Sequence, residues 1–218
     1  MDEALARPYA ARVEVDYPER LDRVSTAFRL IWVVPIAIVL SVLSAAANTT
    51  TVRNVGYGVH TVTTQTGPGI AGGLFAATAL MIVFRQRYPR WWFDFGREFT
   101  RFGARVTAYL FLVTDRYPST VEEQSVHLEI DYPERPAELN RWLPLVKWLL
   151  VLPHLIVLLF LGLAAVGSAI IAWFAILFTA RYPRPLFDFV VGVGRWALRV
   201  HAYAFLLVTD DYPPFTLR

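Results

Sequence analysis

The feature that most restricts the fold is an uncharged stretch of 33 residues from Trp148 to Ala180. Within this stretch His154 is the only ionisable side chain. A membrane-crossing helix needs about 20 largely apolar residues, so the stretch is too long for one span at ordinary tilt. Two glycines, Gly162 and Gly167, indicate a tight turn inside it. The sequence therefore predicts two spans, near 143–163 and 166–181.

Two earlier segments have the same character. Residues 28–47 and 67–84 are each long and apolar enough for a transmembrane helix. Hydrophobic residues make up 56% of the chain, against about 45–50% in soluble domains. We therefore predict a mainly α-helical membrane protein with four transmembrane helices in two tandem hairpins.

Basic residues predict the orientation of these hairpins, because Lys and Arg are enriched in cytoplasmic loops. Arginines precede the first span and follow the second, whereas the 48–66 connection carries only Arg53. The predicted turn at 162–167 carries no charge. Both termini are therefore expected in the cytoplasm, in a multi-pass protein. The threonine-rich 48–66 connection alternates like a β-hairpin.

Segments of the first half recur in the same order in the second half. The recurring segments are VEVDYPERL (13–21) and LEIDYPERP (128–136), RYPRWWFDF (87–95) and RYPRPLFDF (181–189), and ARVTAYLFLVTDRYP (104–118) and LRVHAYAFLLVTDDYP (198–213). The sequence predicts a duplication, with repeat 1 at 13–118 and repeat 2 at 128–213. Because each repeat would hold an even number of spans, we expect a pseudo-two-fold axis along the membrane normal.

A helix with one apolar face is predicted behind each hairpin. The two faces, with apolar residues three or four apart, are Phe95, Phe99, Phe102, Val106, Tyr109 and Val113, and Phe189, Val193, Trp196, Val200, Tyr203 and Leu207. Such a helix is typical of the membrane interface. The alternative is a cytoplasmic helix that packs on the other repeat. The interfacial interpretation predicts headgroup contacts by Arg87, Arg90, Trp91, Trp92, Arg97, Arg101, Arg105, Arg181, Arg184, Arg195 and Arg199.

Asp94 and Asp188 directly precede these two faces. A carboxylate there can accept hydrogen bonds from the first free N–H groups of a helix, so both are expected to be helix caps. An ion pair with a nearby arginine and a proton relay are the alternatives. Short cytoplasmic strands are predicted at 13–17, 110–118 and 126–134, in a small sheet that joins the repeats.

Few residues indicate chemistry. The chain has no cysteine, and its four histidines lack metal-ligand spacing. His154 is the intramembrane polar candidate, with a structural hydrogen bond as the alternative role. The sequence contains no nucleophile elbow, P-loop, HExxH or dinucleotide fingerprint. We therefore expect no enzyme, no cofactor and no bound metal.

The DYPER, RYPRxxFDF and AYxFLxTDxYP motifs together resemble domain-of-unknown-function family 4389, found in actinobacterial membrane proteins. The resemblance covers nearly the whole chain, as two tandem copies. It implies an integral protein of the bacterial inner (plasma) membrane, in the cell envelope. It implies no activity, and no catalytic residue.

These observations favour a non-enzymatic accessory, scaffold or lipid-interacting module. Its expected partners are anionic membrane lipids, with a membrane protein or a second copy as a further partner, and no nucleic acid. The alternative is a small oligomeric channel or transporter, whose polar group in the membrane would be His154. A third hypothesis is a lipid-modifying enzyme with Asp94 and Asp188 as acid or base.

Overall fold

A computed structural model describes residues 9–44, 48–55, 59–66, 70–119, 122, 124–133 and 139–218, with side chains outside 42–71. Glu134 and Arg135, at the end of the second DYPER motif, lie outside the described residues. Two antiparallel two-stranded sheets form: β1 (Ala11–Val15) with β4 (Val126–Ile130), and β2 (Asn48–Val55) with β3 (Val59–Thr66). The predicted hairpin at 48–66 and the strands near 13 and 126 are therefore confirmed.

The helices occupy most of the remaining described chain. They are α1 (Arg23–Ala27), α2 (Arg29–Trp32), α3 (Val34–Ser44), α4 (Ile70–Leu80), α5 (Arg90–Leu110), α6 (Pro144–Leu150), α7 (Leu152–Thr179) and α8 (Arg184–His201). One π-helical segment, Met81–Arg85, follows α4, and another, Ala202–Leu206, follows α8. The predicted strand at 110–118 is wrong, because α5 continues to Leu110 and turns follow it.

The prediction of four transmembrane helices in tandem hairpins is also wrong. Among the described residues, α7 alone is long and apolar enough to cross a membrane. It continues through the predicted turn, since an isolated glycine costs a helix only about 1 kcal/mol relative to alanine and Leu163–Val166 favours helix. The helices α3 and α4 have 11 residues each, fewer than the roughly 17 that a span requires.

The β1–β4 sheet lies between two long helices. Val13 is opposite Leu128 in the strand register, and both side chains are buried. Along β1, Arg195 of α8 donates from Nε to the Val13 carbonyl at 3.1 Å. Along β4, Arg101 of α5 donates to the Leu128 carbonyl at 3.2 Å. The sheet therefore has α8 on one strand edge and α5 on the other.

Helix α7 packs against α8. Its buried side chains recur at helical spacing, at His154, Ala165, Ser168, Ala172 and Ile176, and so form one stripe. The second half of this stripe shares a core with Phe187 and Val191, near the start of α8. The exposed sides of α7 are apolar.

Candidate functional site

Many large apolar side chains are exposed on α2, α3, α6 and α7. Only 17% of an apolar 18-residue window of α7 is buried, so most of this helix is exposed. We use the name apolar surface for its exposed side chains and those of α2, α3 and α6: Leu30, Ile31, Trp32, Val34, Ile38, Leu145, Trp148, Leu149, Leu159, Phe160, Leu163, Ile170, Ile171, Phe174 and Phe178. In water this surface would be costly, since the hydrophobic effect opposes exposed apolar area.

A buried arginine joins the start of α2 to the end of α5. Arg29, at the start of α2, is 2% exposed and forms an ion pair with Asp115. Its guanidinium also donates to the carbonyls of Tyr109 (2.9 Å) and Thr114, and lies 4.2 Å from the centre of the Tyr109 ring. Burial lowers the pKa of Arg29, and the Asp115 carboxylate opposes that shift. These contacts attach the end of α5 to the start of α2.

A buried lysine occupies the corresponding place in the second half. Lys147 of α6 is 1% exposed, and its Nζ lies 2.7 Å from an Asp210 carboxylate oxygen. Nζ also donates to the Thr209 carbonyl at 2.7 Å and lies 4.8 Å from the Tyr203 ring centre. Burial lowers the pKa of Lys147, and the hydrogen bond that Lys147 donates to Asp210 opposes this shift. The ammonium attaches the chain after α8 to the start of α6.

Two tyrosine pairs make matching contacts between the halves. The Tyr17 hydroxyl donates to the Tyr182 carbonyl and the Tyr132 hydroxyl donates to the Tyr88 carbonyl, both at 2.5 Å. In turn the Tyr88 hydroxyl donates to the Leu206 carbonyl at 2.9 Å. The Tyr182 hydroxyl donates to the Phe111 carbonyl at 3.4 Å. Each donor and acceptor in one half thus corresponds to one in the other.

Most of the arginines predicted to bind headgroups are engaged inside the fold. Arg199 is 7% exposed and donates to the Thr216 carbonyl, and Arg105 donates to the Ser119 carbonyl. Arg97 pairs with Asp94 and Glu98. Arg101 and Arg195 contact the strand carbonyls described above, and Arg101 also pairs with Glu98. These five side chains are therefore explained by intramolecular contacts.

The remaining predicted contacts lie at the two RYPR segments. Arg90 and Arg184 are exposed and lie over the rings of Tyr132 (5.1 Å) and Tyr17 (3.9 Å). Trp91 is 70% exposed, whereas Trp92 donates from Nε1 to Thr78 Oγ1 at 2.8 Å. Arg87 and Arg181 are exposed, and within the described part of the chain neither forms an ion pair with an acidic side chain.

The expectation that Asp94 and Asp188 cap their helices is wrong. Helix α5 begins at Arg90 and α8 at Arg184, so each aspartate is the fifth helical residue. The capping positions are Pro89 and Pro183. Each proline has φ near −59°, which is already suited to helix entry, so the helices start earlier. Asp94 instead forms the alternative ion pair, with Arg97 at 3.3 Å.

His154 is enclosed by aromatic side chains and has no exposed surface. Its Nδ1 accepts a hydrogen bond from Trp196 Nε1 at 3.0 Å, so the neutral ring carries its proton on Nε2. Phe215 stacks on the ring at 3.9 Å, and Nε2 has no partner among the described residues. The geometry favours the structural role over a polar group that lines a pore.

Sequence reasoning missed Asp115, Asp210 and the four tyrosines as a set. The signal that could have identified them was the recurrence of Thr-Asp-x-Tyr-Pro and of Tyr-Pro in both halves. A motif kept at corresponding positions of two segments indicates a shared contact, and here the aspartates bind the cations Arg29 and Lys147.

Comparison with known proteins supports the family for one part of the chain. Residues 142–216 match the model of the family described as a domain of unknown function, DUF4389. The match spans the second of the two similar segments and not both. No curated protein and no solved structure matches the chain.

Proposed function

We propose that the protein is a non-enzymatic, lipid-embedded module of the bacterial cell envelope, with an accessory or scaffold role. The observation that carries this proposal is the exposure of α7. Only 17% of an apolar 18-residue window of this helix is buried. Exposed tryptophans accompany it at helix ends, at Trp32, Trp91, Trp142 and Trp148. Tryptophan is enriched at membrane–water interfaces, so these residues suit the border of a lipid-immersed surface.

The module is formed by two tandem copies, 13–118 and 128–213, that complete each other. The matching hydrogen bonds of Tyr17 with Tyr182 and of Tyr132 with Tyr88 support this duplication. So do the two buried cations and their aspartates. Because each copy donates a hydrogen bond to the other, the two copies are joined, which suits a scaffold.

Anionic headgroups bind the exposed arginines of the two RYPR segments. Arg87 and Arg181 are best placed for this, since each is exposed and is the second residue after an apolar helical segment. A guanidinium can bind a phosphate with two parallel hydrogen bonds. Arg101, Arg195 and Arg199 do not share this role, because their guanidinium groups bind backbone carbonyls of the fold.

Vesicle flotation tests this proposal. The full-length protein is expected to float with phosphatidylcholine vesicles, and more strongly when phosphatidylglycerol is added. An arginine near an anionic surface contributes about 1 kcal/mol. The double variant Arg87→Gln/Arg181→Gln should therefore lose roughly 30-fold of the preference for phosphatidylglycerol.

The matched control is Arg97→Gln, which removes a charge that is already paired within α5 and should keep the preference. Folded protein that stays at the bottom of the gradient with both vesicle types would contradict the membrane proposal. An unchanged preference in the double variant would contradict the headgroup role of Arg87 and Arg181.

A further inference from the structure

We propose that α7, although long enough to cross the bilayer, lies along it within the hydrocarbon of a single leaflet. This inference rests on the proposed residence in the membrane. In this arrangement α8 and the β1–β4 sheet lie on the aqueous side of α7. The apolar surface is then the side that contacts lipid acyl chains.

Both ends of α7 are attached to the same helix. At its start, His154 accepts a hydrogen bond from Trp196, in the second half of α8. Immediately before α7, Val151 packs with Trp196, Val200 and Tyr203. At its end, only residues 180–183 separate α7 from the start of α8. The two helices therefore run antiparallel, side by side.

The lengths of the two helices agree with this arrangement. At 1.5 Å per residue, the 28 residues of α7 extend for about 42 Å. The 18 residues of α8, with the five-residue π-helical segment after it, extend for roughly 34 Å. Lys147, which precedes α7, is attached to Asp210, which follows that segment. Helix α8 and the π-helical segment after it therefore extend beside most of the length of α7.

Strand β1 packs along α8, whereas it makes little contact with α7. The Tyr9 hydroxyl contacts the Arg199 carbonyl (3.4 Å), and Arg195 contacts Val13. Tyr17 packs edge-on against Phe187, with ring centres 5.0 Å apart. Strand β1 and its flanking residues therefore run along nearly the whole of α8. Helix α8 therefore contacts both α7 and β1, whereas α5 contacts β4.

The outer face of the sheet is charged. Arg12 pairs there with Glu129 (3.3 Å) and Asp131 (3.1 Å), and His127 lies 3.1 Å from Asp16. The molecule therefore changes from apolar to charged in the direction perpendicular to α7, not along it. If α7 crossed the bilayer, α8 and this charged face would have to enter the hydrocarbon beside it. Charges at that depth are strongly unfavourable.

The absence of native cysteine makes single-cysteine labelling of the full-length protein a direct test. The reporters are Arg141→Cys before α6, Pro185→Cys after α7 and Leu163→Cys in the middle of α7, all at exposed positions. A membrane-impermeant maleimide is applied to right-side-out and to inverted membrane vesicles. Labelling in detergent shows that each cysteine can react.

We expect Arg141→Cys and Pro185→Cys to be labelled in the same vesicle preparation, and Leu163→Cys to be labelled in neither. Labelling of the two end positions in opposite preparations would show that α7 crosses, and would overturn the inference. Labelling of Leu163→Cys from the opposite side would overturn it as well. Either result would overturn only the orientation of α7, because the protein would still be in the membrane. Recovery of the folded protein in the soluble fraction would instead overturn the proposed function.

Discussion

Replacement of Asp210 by alanine is expected to lower the free energy of unfolding by about 3–5 kcal/mol, the usual cost of removing one partner of a buried ion pair. The ammonium of Lys147 would remain almost fully buried, with the Thr209 carbonyl as its only described hydrogen-bond acceptor. The corresponding change, Asp115→Ala, should have a similar effect, because it leaves Arg29 without its carboxylate. Denaturant unfolding of the purified protein in lipid nanodiscs measures both losses.

Two controls separate the buried charge from a general effect of losing an aspartate. Asp188→Ala, at an exposed position of α8, should change stability by no more than about 0.5 kcal/mol. Lys147→Met/Asp210→Leu should recover most of the stability, since an apolar pair of similar size can replace a buried ion pair. A loss of less than about 1 kcal/mol in Asp210→Ala would mean that the Lys147 contact contributes little.

The second large effect concerns the membrane and not the fold. Ile171 lies on the apolar surface and is 60% exposed. In Ile171→Arg we expect membrane association to weaken by about 2.5–3.5 kcal/mol, the cost of an arginine at the centre of a lipid-immersed helix. Flotation of the variant with phosphatidylcholine vesicles measures this loss.

The matched control places the same side chain on the charged face of the β1–β4 sheet. Glu14 is exposed on the outer face of the sheet, so Glu14→Arg should float like the unchanged protein. Ile171→Leu should also float normally. Equal flotation of Ile171→Arg and Glu14→Arg would contradict contact between α7 and lipid.

Sequence patterns located the hairpin at 48–66 and the strands near 13 and 126, but not the path of α7. The length and hydropathy of a segment show only that it could cross a membrane. The path of α7 depends on the contacts of Lys147 with Asp210 and of Trp196 with His154. The glycines at 162 and 167 suggested a turn, and the helix-forming residues between them outweighed that signal. Segment 198–213 has one residue more than the similar segment 104–118. A π-helical segment, Ala202–Leu206, accommodates the extra residue.

The roles of the arginines could not be assigned from spacing either. A position off the apolar face is compatible with solvent, with a headgroup or with a contact inside the protein. The outcome for Arg101 and Arg195 depends on the carbonyls of Leu128 and Val13, which come from strands distant in sequence. Likewise Asp94 was misplaced because the helix starts at Arg90, before the periodic face that indicated it.

The depth of α7 in the bilayer tests the central claim most directly. Nitroxide labels on single cysteines at Ile156, Leu163 and Phe174, all exposed positions of α7, report depth by their relative accessibility to oxygen and to a water-soluble nickel complex. An in-plane helix predicts similar depths at all three positions, inside the hydrocarbon. A profile that is deepest at Leu163 and shallow at one or both of the other positions would contradict this account, as would full access of nickel to every label.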